Sequence, residues 1–578
     1  MNKRQGGGAK KRTFVPDWAR DAVWYQIFPE RFRNGARQSD PEWIDFSDLP
    51  VADWTVCPWG MDWYKLAKWE KATGDFYRSV YSRRFGGDLV GVREKLDYLQ
   101  QLGINAIYLN PIFMAPSLHK YDASCLHHVD PALGPDRRGD LELLTRAGET
   151  EEPGTWIWTA ADRYFLELVE DVHRRGMRII IDGVFNHVGT KFFGFLDVVK
   201  NGRASNFKDW FRIKSWNADG TFEYEGWFGH KGLPELARDR RNLVKPVQKY
   251  IFDVTRRWMD PLGNGDASKG VDGWRLDVAF CVPHGFWKSW RRLVRRLNPE
   301  SYLTGEIVGP ADGFLQGDEF DAVMNYMWLY PTLGFFSPSK QPLSVRKLQQ
   351  DLNRLRRRYP AEVTPVLQNL LDSHDTGRIL TLLENACPPF ESWDAYFNFP
   401  RAKDHRGLAT SRPKARAKAA LQQMVIFQMT YPGAPMIYYG TEVGLWGAND
   451  PDNRQPMLWP DVRHELEAHG PHGKLSRRSS RAPDRVLLAF FRRAIALRHA
   501  HPSLRRGRFQ WIQTGQERLL GFRRYNQIED ILILLNAGDK PVRYKMASAA
   551  LDLWDQTAVR RGSVLVEARG WRILNLKS

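Results

Sequence analysis

The sequence has 578 residues, of which 43% are hydrophobic and 26% charged, the composition of a globular protein large enough for several domains. Lys and Arg outnumber Asp and Glu by 85 to 67, but this excess forms a run only in residues 1–12, so specific nucleic-acid binding is not predicted. The chain has no apolar stretch of about 18 residues, no apolar signal core and no CxxC pair, which argues against membrane insertion and secretion and favours a cytoplasmic location.

Short apolar runs alternate with amphipathic helical patterns from about residue 22 to residue 500. Strands are predicted at 22–28, 106–109, 178–182, 271–278, 301–306, 363–372 and 434–440, and helices at 89–102, 161–175 and 283–297. Because strand and helix patterns alternate, we expect a parallel sheet covered by helices. The length of the series predicts an α/β fold, a (β/α)8 TIM barrel.

Two features divide the chain into predicted domains. An aromatic- and Gly-rich segment interrupts the barrel after the third strand, and short alternating strands replace the α/β pattern near the C-terminus. The prediction is a disordered basic tail at 1–16, a barrel at 17–187 and 246–500, a small inserted domain at 188–245, and a C-terminal antiparallel β-sandwich at 501–578.

Ionisable residues stand at the ends of four predicted barrel strands, where a stabilising core would have Val or Leu. These residues are Asp182, His187, Arg275, Asp277, Glu306, His374 and Asp375. Chemistry in such barrels takes place at the carboxyl ends of the strands. Taken alone, each residue could be a structural ion pair or a cap, but the set together predicts an active site.

The carboxylates at this rim have a specific chemical implication. Like charges that share a site raise the pKa of at least one group, which gives one ionised and one protonated carboxyl group near neutral pH. Retaining glycoside cleavage needs such a pair, with the carboxyls about 5–5.5 Å apart. Asp277 and Glu306, on neighbouring strands, fit this pattern. Arg275 points to the same side as Asp277, so we expect its charge to keep Asp277 ionised.

Several segments of the sequence resemble the conserved regions of the α-amylase family, glycoside hydrolase family 13. The matching segments are DGVFNHVG, GLPEL, GVDGWRLDVA, GEI, LLDSHDTGR and GAPMIYYGTEVGL. Within the family, the chain is most similar to cyclomaltodextrinase- and neopullulanase-like enzymes. That similarity rests on WYQIFPERFRNG, FGGDLVGVREKLDYLQQLGINAIYLNPIF and LHKYDA.

The resemblance implies a role for each matching residue. Asp277 would be the nucleophile, Glu306 the acid/base and Asp375 the group that stabilises the transition state. The implied substrate-binding residues are Tyr121, His187, Arg275, His374, Asp450 and Arg454. The implied activity is retaining hydrolysis of α-1,4-glucosidic bonds, with some α-1,6 bonds, in maltooligosaccharides, cyclodextrins or related short α-glucans.

Other readings stay open beside the hydrolase. A 4-α-glucanotransferase would use the same residues, and the apolar pair Phe280-Cys281, where relatives often have a polar pair, would favour a sugar acceptor over water. A barrel kept only for binding would typically lose carboxylates, and all three are present here.

The resemblance also leaves some properties undecided. The chemistry needs no cofactor, but Asn186 matches a family calcium ligand, with Asp197, Asp209 and Asp239 as candidate partners. The first barrel strand begins near residue 22, so the N-terminal β domain of many such relatives is expected to be absent. The expected partners are α-glucan oligosaccharides, and the sequence does not decide between a monomer and a homodimer.

Overall fold

The computed structural model describes residues 14–45, 51 and 53–577. Most of the predicted basic tail lies outside these residues. Its last part, residues 14–16, belongs to the fold, and the prediction of disorder there is wrong. Val15 is only 3% exposed, and the carbonyl oxygen of Phe14 accepts hydrogen bonds from Arg291 and Arg295, each at 2.9 Å.

Eight parallel strands form a closed barrel. In chain order the first ten strands are β1 (Trp24–Ile27), β2 (Ala106–Leu109), β3 (Arg178–Gly183), β4 (Ile213–Trp216), β5 (Phe222–Tyr224), β6 (Gly273–Leu276), β7 (Tyr302–Gly305), β8 (Ala322–Val323), β9 (Gln368–Leu370) and β10 (Ala434–Tyr438). Apart from the inserted hairpin β4–β5, they pair in the order β8–β7–β6–β3–β2–β1–β10–β9. A parallel bridge from Met324 to Gln368 joins the two ends and closes the barrel.

The barrel confirms the predicted fold class, with three local differences. The predicted strand 363–372 is a 3-10 helix, Thr364–Val366, followed by the shorter strand β9. The sixth barrel strand in chain order, β8, has two residues and was not predicted, because so short a run has no periodicity. The predicted helix 89–102 is two helices, Leu89–Glu94 and Leu96–Leu102, separated at Lys95. The second ends at Gly103, whose φ of 93° suits a residue without Cβ.

Helices cover the outside of the barrel, and its strands are therefore buried on both faces. The α-helices are Pro29–Phe32, Phe76–Ser79, Leu89–Glu94, Leu96–Leu102, Arg137–Ala147, Ala160–Arg174, Phe193–Asn201, Lys245–Met259, His284–Leu297, Tyr326–Phe336, Val345–Arg358, Ile379–Glu384, Trp393–Asn398, Ala415–Thr430, Arg485–Ala500 and Pro502–Arg506. In the described part of the chain, none is both long and apolar enough to cross a bilayer.

The inserted segment leaves the barrel after β3 and contains the helix Phe193–Asn201 and the antiparallel hairpin β4–β5. An antiparallel bridge between His187 and Glu235 fastens its far end to the end of β3. The insert therefore stands over the carboxyl rim of the barrel, beside the predicted active site.

The C-terminal region is antiparallel. Its strands are β11 (Glu467–Gly470), β12 (Gly473–Ser479), β13 (Arg508–Ile512), β14 (Leu519–Tyr525), β15 (Asp530–Asn536), β16 (Val542–Met546), β17 (Ala550–Asp552), β18 (Thr557–Val559), β19 (Gly562–Val566) and β20 (Trp571–Asn575). The sheet β13–β14–β15–β20–β17–β18 faces the pair β16–β19 across an apolar layer that includes Leu519, Leu534 and Val566. The domain boundaries themselves remain predictions.

Candidate active site

One arginine joins the two carboxylates that the sequence pairs. Arg275 is the third residue of β6, Asp277 follows the end of β6, and Glu306 follows β7. Nη1 of Arg275 lies 3.0 Å from Oδ1 of Asp277, and Nη2 lies 3.0 Å from Oε2 of Glu306. The backbone N–H of Val278 donates to the same Glu306 oxygen at 3.0 Å. Adjacent parallel strands thus hold both carboxyl groups on one guanidinium.

Asp182, at the end of β3, fixes this arginine from below. Nη1 of Arg275 lies 2.9 Å from both carboxylate oxygens of Asp182. Oδ2 of Asp182 also accepts hydrogen bonds from the hydroxyls of Tyr108, at 2.6 Å, and Tyr121, at 2.9 Å. Asp182 is therefore a support for the site, and it orients Tyr121 as well as the guanidinium.

His374 is held in one tautomer. Its Nδ1 lies 2.8 Å from Nε2 of Gln26, which can only donate, so Nδ1 accepts and the proton is on Nε2. That Nε2 is 2.6 Å from the Tyr121 hydroxyl and 3.2 Å from Oδ2 of Asp375. The rings of His374 and Tyr121 lie 5.5 Å apart at an angle of 11°. A chain of contacts through His374, Tyr121 and Arg275 thus links Asp375 to Asp277.

The loop after β10 contributes the two remaining predicted residues, Asp450 and Arg454. Arg454 places Nη1 3.2 Å from Oδ1 of Asp450 and Nη2 3.5 Å from Oδ1 of Asp375, while its Nε donates to the carbonyl oxygen of His374 at 2.9 Å. Asn453 reinforces the loop, donating to the same carbonyl at 2.7 Å. The predicted site residues from four strand ends and this loop therefore converge.

Burial and crowding of like charges dominate the electrostatics. Burial and the Glu306 carboxylate raise the pKa of Asp277 well above its ordinary value, and Arg275 lowers it by less. Burial and Glu306 also raise the pKa of Asp375. Arg275 was expected to keep Asp277 ionised, and it does lower the pKa of Asp277, but burial and Glu306 raise that pKa by more. The carboxyl cluster retains protons that isolated groups would lose, as the sharing argument predicts.

These residues border a cleft of about 800 Å³. Of the predicted residues, those lining it are Tyr121, His187, Asp277, Glu306, Asp375, Asp450 and Arg454. Arg275 and His374 are fully buried and support the lining from beneath. His187 is buried too, and its Nε2 makes no hydrogen bond within the described residues. Burial lowers the pKa of His187 to about 3, so a neutral imidazole faces the cleft.

Sequence reasoning missed several aromatic residues of the cleft. Trp227 and Phe228 come from the insert, just before the GLPEL segment, and Trp393 and Phe397 come from a helix after β9. The proximity of Trp227 to that segment was the one available signal. Phe280 lines the cleft and is 43% exposed, whereas its neighbour Cys281 is not part of the lining.

The residues around Asn186 do not fit the calcium ion that the resemblance left undecided. The Asn186 side-chain oxygen accepts a hydrogen bond from the guanidinium of Arg238, which itself pairs with Glu235 at 2.8 Å. A fixed positive charge therefore already contacts the oxygen that a cation would need. The suggested acidic partners make other contacts. Asp197 accepts from Ser205 and Asn201, Asp239 caps its own loop, and Asp209 lies 4.0 Å from Lys208.

The chain is similar in sequence to proteins of known family. The model of the alpha-amylase catalytic domain matches residues 26–150 and 160–507. Neopullulanase 2 of Thermoactinomyces vulgaris is 36% identical over 531 residues, covering 91% of this chain and 71% of that protein. A cyclomaltodextrinase of Bacillus sp is 34% identical over 525 residues, with coverages of 90% and 73%.

A solved structure extends the similarity to the whole fold. The ligand-free cyclic alpha-maltosyl-(1→6)-maltose hydrolase of Arthrobacter globiformis matches with a TM-score of 0.71 at 28% identity, covering 98% of this chain and 100% of that one. Sequence, fold and the carboxylate cluster all agree. The chain belongs to the α-amylase family and is an α-glucan glycosidase of that family.

Proposed function

We propose that this enzyme cleaves α-1,4-glucosidic bonds, and some α-1,6 bonds, in short α-glucans by a retaining mechanism with Asp277 as nucleophile and Glu306 as acid/base. The observation that carries the proposal is the single guanidinium of Arg275, which contacts both carboxylates at 3.0 Å at the floor of the cleft. Retaining cleavage requires two carboxyl groups held at one short, fixed separation.

In the proposed first step, an oxygen of Asp277 attacks the anomeric carbon while Glu306 gives its proton to the departing glycosidic oxygen. The bond to the leaving sugar breaks, and a glycosyl ester on Asp277 remains. Glu306, now ionised, takes a proton from water, and the resulting hydroxide displaces Asp277. Two inversions at one carbon give net retention.

The other residues would bind the sugar at the reacting position. Asp375 would accept hydrogen bonds from ring hydroxyls, and the neutral imidazole of His187 would bind others. His374 would act beneath the cleft by holding Tyr121 and Asp375 in position. Asp450 and Arg454 would hold the next sugar. The names of the relatives, a neopullulanase and a cyclomaltodextrinase, support short linear or cyclic α-glucans as substrates.

The test uses maltoheptaose and, separately, β-cyclodextrin, with products followed by chromatography and the first product anomer by proton NMR. We expect glucose and maltose from both substrates, α-anomers first, and no detectable turnover by Asp277→Asn. Asp219→Asn, in the exposed turn of the inserted hairpin, is the control and should behave as wild type. β-Anomers first, or full activity of Asp277→Asn, would refute the mechanism.

A second candidate activity is transfer to another glucan. It is favoured by Phe280, an exposed apolar ring at the cleft wall near Asp277. Such a ring can stack on an acceptor sugar and hinder water. At high maltotriose concentration, a transferase would produce oligosaccharides longer than the substrate with little new reducing sugar. Phe280→Asn should then lower the ratio of transfer to hydrolysis, and an unchanged ratio would remove Phe280 from the explanation.

We further propose that these steps use only side chains, because carboxyl groups supply both the nucleophile and the proton transfer. A cytoplasmic location also remains a proposal. It is supported by four free cysteines, three of them buried. Their thiols are inert at neutral pH where burial raises the pKa, as for Cys57, Cys125 and Cys387, each to about 12.

A further inference from the structure

A second cluster of titratable side chains lies outside the cleft, in the long segment between β2 and the helix Ala160–Arg174. His127 and His128 are buried, and Glu149 approaches them from later in the same segment. Oε2 of Glu149 lies 2.8 Å from Nε2 of His128 and 3.7 Å from Nε2 of His127. The three potential ligand atoms all lie within 4.8 Å of one another.

We infer that His127, His128 and Glu149 form a binding site for one divalent transition metal ion, with zinc as the best-fitting ion. Zinc binds imidazole nitrogen at about 2.0–2.1 Å and carboxylate oxygen at about 2.0–2.2 Å in tetrahedral geometry, which places neighbouring ligand atoms roughly 3.4 Å apart. The separations of 2.8 and 3.7 Å fall on either side of this value. Two nitrogens and one oxygen favour zinc over calcium or magnesium.

The outer contacts of both rings match those of metal-binding histidines, whose second nitrogen usually bonds to a carboxylate or another polar group. Nδ1 of His128 lies 2.7 Å from Oδ2 of Asp162. Nδ1 of His127 lies 2.9 Å from the hydroxyl of Tyr250. Trp156 stacks on the ring of His127 at 4.4 Å and 6°. Each ring is therefore held with its Nε2 directed toward Glu149.

The charge balance also calls for a cation. Within the described residues, the charged side chains at the cluster, apart from the two histidines, are two acids, Glu149 and Asp162, and one guanidinium, that of Arg257, whose Nη2 lies 3.0 Å from Oδ2 of Asp162. Arg257 balances Asp162, so the carboxylate of Glu149, whose side chain is only 13% exposed, has no cationic partner in the described part of the chain, which is costly. A bound metal ion would compensate it. The competing explanation is that hydrogen bonds alone hold the three side chains together, and metal-binding measurements distinguish the two.

The position of the cluster suggests a structural role. His127 follows Tyr121 by six residues in the same segment, and the partners Asp162 and Tyr250 lie on two barrel helices. A metal ion there would fasten the segment that presents Tyr121 to the active site. It would not touch the substrate, so its loss should lower thermal stability more than it lowers the rate of bond cleavage.

The test uses the full chain without a histidine tag. Metal content is measured by mass spectrometry as isolated, and chelator-dialysed protein is titrated with zinc chloride, followed by thermal unfolding, and with cobalt chloride, followed by visible absorption. We expect one equivalent per chain, a rise in Tm of several degrees that saturates at that ratio, and cobalt bands in the visible range.

Two variants locate the site. His127→Gln and Glu149→Gln should lose the metal, the Tm rise and the cobalt bands. His173→Gln is the matched control, because His173 is a half-buried histidine paired with Asp272 at 2.7 Å elsewhere in the barrel, and it should bind as wild type. A wild-type protein that takes up no metal and shows no Tm change would overturn the proposal. Equal uptake by both variants would place the metal elsewhere.

Discussion

Arg275 contacts Glu306 through Nη2 at 3.0 Å, and this leaves its other terminal nitrogen, Nη1, to contact Asp277 at the same distance. Only a planar, forked cation can hold two carboxylates in this way. The arginine is fully buried and is itself fixed by Asp182. The spacing of the two proposed catalytic groups therefore depends on the shape of one side chain as much as on its charge.

Arg275→Lys should lower kcat/KM roughly 100-fold or more, about 3 kcal/mol of transition-state stabilisation, although the charge is kept. A single ammonium group cannot reach Asp182, Asp277 and Glu306 together, so one carboxylate loses its partner. Steady-state kinetics on maltoheptaose measures the effect. The control is Arg291→Lys, in a buried ion pair with Asp321 at 2.7 Å beside residue Phe14. It should lower Tm and leave kcat near wild type. Equal kinetic losses in the two variants would reduce Arg275 to a stability residue.

Glu306→Gln should alter both rate and pH dependence. Without the proton donor, hydrolysis of maltoheptaose should fall by roughly 10²–10⁴-fold. Cleavage of α-maltosyl fluoride, whose leaving group needs no proton, should be affected far less in its first step. Asp277 must be ionised to attack, so the acid limb of that reaction reports its pKa.

The same variant tests the cause of the Asp277 shift. Burial and Glu306 raise the pKa of Asp277 above its ordinary value, so the wild-type acid limb should lie at higher pH than that of an ordinary aspartate. Removing the Glu306 charge should move the limb to lower pH while burial still raises it. The measurement is kcat/KM for α-maltosyl fluoride from pH 3 to pH 8. A limb that stays in place would mean that the two carboxyls are not coupled.

Asp452 provides a pH prediction for stability. Burial raises the pKa of Asp452 to about 7. Hydrogen bonds from Trp63 and Tyr77, at 2.9 Å each, lower this pKa by less than burial raises it. Between about pH 4 and pH 7 the folded protein keeps this proton and the unfolded chain has released it. The unfolded state then binds fewer protons, and this group makes stability fall as pH rises across that window.

Asp452→Asn removes the titration and can keep both contacts, since its oxygen can accept from Trp63 and its amide can donate to the Tyr77 oxygen. The Tm of the variant minus that of wild type should therefore increase from pH 4 to pH 7 and stay constant above pH 7. Thermal unfolding at several pH values measures this. A difference that does not change with pH would show that Asp452 is ionised throughout.

Local sequence signals predicted most of the fold and the catalytic cluster. Seven barrel strands have enough apolar residues to be recognised in the sequence. Asp277 and Glu306 directly follow two of them, and Asp375 lies five residues after the end of a third, β9. The two-residue strand β8 carried no such signal. The net pKa direction of Asp277 could not be predicted either, because it depends on how far burial outweighs Arg275.

The aromatic residues of the cleft walls could not be predicted from the sequence for a different reason. Phe228 and Trp393 lie in segments far apart in the chain, and only the closed barrel brings them to one opening. Nothing local distinguishes such an aromatic residue from one in a core. The same holds for His127 and Glu149, whose proximity depends on the path of a long segment.

Trp393 leads to a prediction about chain length. It lies on the short helix Trp393–Asn398, stacks on Phe397 at 5.7 Å and 27°, and packs edge-on against Tyr326 at 5.1 Å. These contacts hold the indole at the cleft wall, where an apolar face suits the C–H face of a sugar. Trp393 should therefore contribute to binding glucans that extend beyond the reacting ring.

Trp393→Ala should raise KM for maltoheptaose roughly tenfold, about 1.4 kcal/mol, because the stacking surface is lost. The kinetics of α-maltosyl fluoride should change little, since so short a substrate need not reach the wall. Trp216→Ala, in the inserted hairpin and outside the cleft lining, is the control for a general loss of packing and should leave both KM values unchanged. Initial rates over a range of concentrations on both substrates measure the effect. If Trp393→Ala raised both KM values equally, the indole would be shaping the reacting position itself, and the chain-length role would be wrong.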